Sequence, residues 1–144
     1  MFNETYYENK TICFLLSEDS NHIKIAKEGA NVGQTKTPNN KETFKKAVEK
    51  LALESKLSLK FIESETEVST NEVLIKVDVK ELNWIFGFST LTMKSTIKYE
   101  VSSTGKTYEI IGIHKTSLWG SQEWNLFHSL KNANYLFLKE IEKN

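Results

Sequence analysis

The sequence predicts an α+β fold, a two-layer sandwich in which both helices pack on one face of a mostly antiparallel sheet. Three observations predict it. Between Glu72 and Thr116 lie three consecutive β-type segments joined by two short turns. An amphipathic helix pattern precedes them, and a second one closes the chain. Strands with one polar face and helices with one apolar stripe bury each other by stacking, which gives the order β-α-β-β-β-β-α.

The elements follow in order. Met1 to Lys10 is polar apart from a few aromatic residues and reads as a flexible arm, with residues 11–144 as one domain. Ile12-Cys13-Phe14-Leu15-Leu16 is a buried strand, and His22 to Ala26 alternates weakly enough to continue it after a turn or bulge. Gly29 to Asn40 holds two glycines, paired asparagines and the single proline, Pro38, and is a long loop. Asn39 or Asn40 then caps a helix, with Glu42 in its first turn, where a carboxylate suits the helix dipole. Phe44, Ala47, Val48, Leu51 and Ala52 share one face of it. A short strand at 58–63 leads through a polar connector to 71.

Val73, Ile75, Val77 and Val79 alternate against Glu72, Lys76, Asp78 and Lys80. Leu91, Met93, Ser95, Ile97, Tyr99 and Val101 repeat the pattern. Ser103-Thr104-Gly105-Lys106 is a hairpin turn in which Gly105 takes positive φ, and Tyr108 to Thr116 forms the last strand. Gly120-Ser121 breaks that strand, and Ser121 caps the closing helix. Its stripe is Leu126, Leu130, Ala133, Phe137 and Ile141, widened by Phe127 and Leu138.

Composition excludes more than it assigns. The chain is 39% hydrophobic and 26% charged, ordinary for a globular protein. Nineteen acidic residues balance nineteen basic ones, so no global field draws in nucleic acid or an anionic membrane. Every basic residue is lysine, and the two-pronged grip of arginine on phosphate is missing. No nucleic-acid partner is expected. The single cysteine, Cys13, permits no internal disulfide and reads as a small buried hydrophobe. No apolar run approaches a membrane span.

No catalytic signature stands out. Gly105-Lys106-Thr107 imitates the end of a phosphate loop, but Glu100 occupies the place of the needed first glycine, and a strand follows rather than a helix. His22, His114 and His128 lack metal-ligand spacing, and the carboxylates lie in polar connectors. No cofactor, metal or catalytic residue is therefore expected. The most unusual stretch is Leu82-Asn83-Trp84-Ile85-Phe86-Gly87-Phe88, where turn residues would be expected. If Gly87 is a hairpin tip, then Trp84, Ile85, Phe86 and Phe88 form an exposed interaction site, and replacing Trp84 and Phe86 with serine spares folding. If the strand is instead long, with Gly87 a bend, the same rings are core. A second aromatic group, Trp119, Trp124, Phe127 and His128, either staples the final helix to the sheet or lets Trp119, Trp124 and His128 line a small-ligand pocket.

Four pieces carry a resemblance: Ala47-Val48-Glu49-Lys50-Leu51-Ala52-Leu53, the strand from Asn71 to Val79, Ile97-Lys98-Tyr99-Glu100-Val101 followed by Thr104-Gly105-Lys106, and Ser129-Leu130-Lys131-Asn132-Ala133. Over residues 12–142 the succession resembles the small βαβββ(β)α domains of bacterial envelope lipoproteins, such as the YajG-like group, the lipopolysaccharide-assembly lipoprotein and curli-secretion-type periplasmic domains. That resemblance implies a non-catalytic envelope module docking to protein or lipid partners, in the periplasm if a leader has been removed and otherwise in the cytoplasm. The alternatives are a small cytoplasmic immunity or antitoxin-like protein that binds a toxin, and a small-ligand-binding domain.

Overall fold

The computed structural model describes residues 1–29, 37–117 and 120–143. Its elements are α1 (Glu4–Tyr7), β1 (Ile12–Leu16), β2 (Ile25–Gly29), α2 (Asn40–Ser55), β3 (Leu59–Ile62), β4 (Val73–Phe86), β5 (Thr90–Val101), β6 (Lys106–Ser117) and α3 (Gln122–Ile141). One mixed sheet runs β3-β1-β4-β5-β6, and β2 pairs β4 beyond β1. The long ladders, β4 with β5 and β5 with β6, are antiparallel. The short ones, β1 with β3 and with β4 and β2 with β4, are parallel.

β1 and β2 are two pieces of one interrupted strand laid along the same side of β4, with β3 beyond β1. Between them a 3-10 turn at Glu18–His22 steps aside. The Ser17 N–H donates to the Val77 carbonyl at 2.8 Å, and the Val79 N–H donates to Ser20 Oγ at 2.8 Å. A buried serine thus replaces the missing ladder bond. Asn40, at the start of α2, donates to the carbonyls of Ser20 and Ile23, both at 2.9 Å, and holds the excursion in place.

Opposite this excursion β4 carries a bulge: the register with β5 shifts between Val79 and Glu81. One extra residue reverses the side-chain phase. Odd-numbered Ile75, Val77 and Val79 face the helices before it, and even-numbered Leu82, Trp84 and Phe86 do so after it. β5 keeps a single phase, with Leu91, Met93, Ser95, Ile97 and Tyr99 all buried. The hairpin to β6 turns through Gly105 at φ 73°.

Both long helices cover the same sheet face. Asn39 caps α2 through a bond from the Glu42 N–H (3.0 Å), and Ser121 caps α3 through one from the Trp124 N–H (3.0 Å). Phe44, Ala47, Val48 and Leu51 of α2 are buried, as are Leu126, Leu130, Ala133, Phe137, Leu138 and Ile141 of α3. Aromatic rings join the layers. Phe14 meets Phe44 and Phe137 edge-on, each at 6.3 Å, and Tyr99 stacks on Phe137 at 4.2 Å.

The N-terminal residues are more firmly held than their polarity suggests. Asn3 caps α1, Tyr7 is buried, and its hydroxyl donates to the Leu138 carbonyl at 2.6 Å. Phe2 packs edge-on against Tyr135 at 5.0 Å. The Asn3 N–H donates to Glu142 at 2.9 Å, and Lys139 pairs with Glu142 at 2.6 Å. Burial opposes the charge on Glu142, but the lysine and that N–H outweigh it and hold the carboxyl below its usual range. Three aromatic rings within seven residues, Phe2, Tyr6 and Tyr7, give this segment apolar surface to bury.

Candidate functional site

The stretch from Leu82 to Phe88 belongs to the long strand. Trp84 and Phe86 are buried, at 2% and 5% exposure, with ring centroids 4.8 Å apart. The exposed-tip expectation is corrected for these two residues, since the bulge before them turns even-numbered positions inward. Ile85 points to the other sheet face and is half-buried. Phe88 alone stands fully exposed in the turn, which the Gly87 N–H closes on the Thr90 carbonyl at 2.8 Å.

Of the second aromatic group, Trp119 lies outside the described residues. Trp124 and His128, on the first two turns of α3, pack on His114 of β6, and Phe127 meets His128 edge-on at 5.0 Å. The two imidazoles stack at 4.6 Å, and Trp124 meets His114 and His128 edge-on at 4.9 and 4.5 Å. These rings fasten the start of α3 to β6. What remains beside them is a shallow hollow of about 250 Å³, bordered by His114, His128, Lys131 and Tyr135. Lys131 is bonded to Glu54 at 2.9 Å. Burial, aided by Lys131, lowers the pKa of His114, and burial with His114 and then Lys131 lowers that of His128. Nε2 of His114 is buried with no hydrogen-bond partner among the described residues. Both rings therefore favour the neutral form.

Cys13 is fully buried, and its thiol donates to Glu72 at 3.7 Å. Burial and then the neighbouring Glu72 push its pKa up, the opposite of what a thiolate nucleophile needs. Among the described residues no group of three or more metal-ligating side chains gathers.

Between α3 and the sheet runs a polar seam. Ser95 and Ser129 share a hydrogen bond at 2.7 Å, Ser129 also donates to the Gly112 carbonyl at 3.0 Å, and Tyr99 donates to Asn134 at 2.7 Å. All but Gly112 contribute fully buried side chains. A Cβ on Gly112 would sit 2.3 Å from the Ser129 carbonyl oxygen and 2.6 Å from Ala133 Cβ, so only glycine lets the helix lie this close.

The outer face of the sheet is different. Over β4, β5 and β6 neither long helix covers it. At one end it is a lattice of opposite charges: Lys76 beside Glu100, and Asp78 beside Lys98, which is in turn beside Glu109. Towards the other end the lattice gives way to Ile111 and Ile113, which are 45% and 47% exposed, next to Thr96 and Lys94 of β5. The sequence reading passed over these two because Ile110-Ile111-Gly112-Ile113 is apolar on both faces and shows no alternation. Two adjacent isoleucines in a strand whose neighbours have one wet face were the available signal.

β6 is also the edge of the sheet. Its centre is closed, since the Ile113 N–H donates to Asn132 Oδ1 of α3 at 2.9 Å. A helix side chain thereby occupies a backbone group that an added strand would use. What β6 offers is its outer face.

Among the described residues no helix is long and apolar enough to cross a membrane. No protein-family model matches the chain, and no curated protein matches it. Solved structures share its outline at low identity. An uncharacterised protein has 6% identity and a TM-score of 0.46, over 93% of this chain and 89% of that one. The PelC dodecamer from Paraburkholderia phytofirmans has 12% identity and a TM-score of 0.42, over 87% and 85%. A lipoprotein from Neisseria meningitidis has 9% identity and a TM-score of 0.35, over 92% and 99%. These are similarities of chain outline.

Proposed function

We propose that this chain is a non-catalytic binding module that engages a protein partner through the outer face of β4–β6. One observation carries the reading: Ile111 and Ile113, two neighbours on one side of a strand, stand nearly half exposed in a face whose other residues include threonine, charge, Asn83 and the half-buried Ile85. Apolar side chains at the centre of a polar rim are the anatomy of a recognition patch. The two isoleucines contribute little to folding where they stand, so removing them tests binding separately from stability.

The test is site-specific photocrosslinking in the native host, with the reactive side chain placed at Ile113 and, as a control, at Glu49 on the solvent side of α2. Crosslinks to a discrete partner at position 113 alone are expected. They should disappear in an Ile111→Thr background whose melting temperature is unchanged. Equal labelling at both positions, or none at 113, would overturn the reading. The envelope setting is a further proposal, supported by the four sequence pieces quoted above. Fractionation of the native protein reads it out, with recovery in the cytosol counting against it and in favour of the immunity-type alternative.

A further inference from the structure

The outer face of β6 reads, residue by residue, Glu109, Ile111, Ile113, Lys115: acid, apolar, apolar, base. All four are exposed. The order is self-complementary. A second strand of the same sequence, turned end for end and laid against it, places Ile111 on Ile113 and Glu109 on Lys115, and a two-fold axis repeats both contacts. That is the requirement for an isologous interface, in which one patch serves both subunits. We infer that the partner seated on this face is a second copy of this chain, packed sheet to sheet about a two-fold axis between Ile111 and Ile113.

The surroundings fit the same operation. The centre of the patch is apolar, with Thr96 and Lys94 beside the two isoleucines and Thr92 beside Lys115. Both charged residues lie two positions from an isoleucine, at the rim, where a pair sets register more than affinity. Packing of faces rather than pairing of edges follows from Asn132, which holds the Ile113 N–H. Sheets stacked in this way sit about 10 Å apart with strands nearly aligned. Three strands of twelve or so residues present roughly 40 Å by 14 Å, on the order of 550 Å² a side. Twice that just exceeds the ~1,000 Å² expected of a specific interface. The dimer is therefore one that separates on dilution.

This inference rests on the binding-module reading. Its test is sedimentation velocity of the whole chain across a dilution series, with charge-swapped variants. Glu109→Lys and Lys115→Glu each turn two attractive contacts into two repulsive ones. Each should weaken self-association by on the order of tenfold or more. The double variant E109K/K115E should restore it, and an equimolar mixture of the two single variants should form a heterodimer. Circular dichroism should stay as in the parent for both; the melting temperature should be unchanged in Lys115→Glu, which faces Thr92, and slightly lower in Glu109→Lys, which faces Lys98. A parent chain that remains monomeric at ~1 mM, or a dimer that neither single swap weakens, overturns the inference. If the chain is monomeric while Ile113 still crosslinks to another protein, the second copy fails and the binding module stands. If Ile113 crosslinks to nothing, both fail.

Discussion

The two faces of this sheet are built on opposite terms. On the inner face rings from β1, β5 and both helices interlock, and serine, tyrosine and asparagine side chains bond one another within a fully buried layer. On the outer face of β4–β6 charges lie beside opposite charges, and two isoleucines face solvent. The inner face specifies where α3 lies, because Gly112 permits close approach and Ser129 and Asn134 fix the register. The outer face adds cross-strand charge pairs to the ladder but places no helix. Residues kept apolar there are free to serve contact with another molecule.

The sharpest way to break this contrast is Trp84→Ala. As a core ring the tryptophan should cost about 3–5 kcal/mol when truncated, measured by chemical denaturation. A loss below 1 kcal/mol would mean that the second half of β4 faces the other way. Next comes Gly112→Ala. The new methyl meets backbone and Ala133, neither of which can swing aside, so about 1–3 kcal/mol should be lost as α3 is pushed from β6. An unchanged melting temperature would show that the seam is slack.

The smallest effect is the response to acid. His114 and His128 have folded pKa values below their ordinary 6.5, so the unfolded chain takes up protons first as pH falls. Stability should decline from about pH 7.5 through 6.5 and level off below the folded values, and His128→Phe should flatten part of that slope. Glu72, Asp78 and Glu142, whose carboxyls are held low, add their losses only in a separate window further down. A flat melting temperature between pH 7.5 and 5.5 would show that the histidine stack is not desolvated.

The antiparallel half of the fold was legible in the sequence for a simple reason. β5 alternates strictly over its whole length, the turn at Ser103–Lys106 carries its glycine, and both helix stripes recur at three and four residues. The parallel half was less so. Strand pairing between β1, β3 and β4 depends on contacts across some sixty residues of chain, and nothing local to Ile12–Leu16 names its neighbours. The aromatic stretch was ambiguous because its inward and outward positions depend on whether a bulge precedes it, and a bulge at Lys80 leaves no mark in side-chain chemistry. Ile111 and Ile113 were missed for a related reason: strands read by alternation hide an exposed apolar residue whenever its buried neighbours are apolar too.

The bulge itself has a consequence for how this sequence can vary. Lys80 is the extra residue of that bulge, unpaired in the ladder, and its side chain lies at the surface against Asp78 at 2.6 Å. Losing it would straighten the ladder and still leave Leu82, Trp84 and Phe86 opposite Ser95, Met93 and Leu91, so the aromatic pair would stay inward. In β4 the letters that fall opposite β5 are constrained, and the count of residues has one to spare.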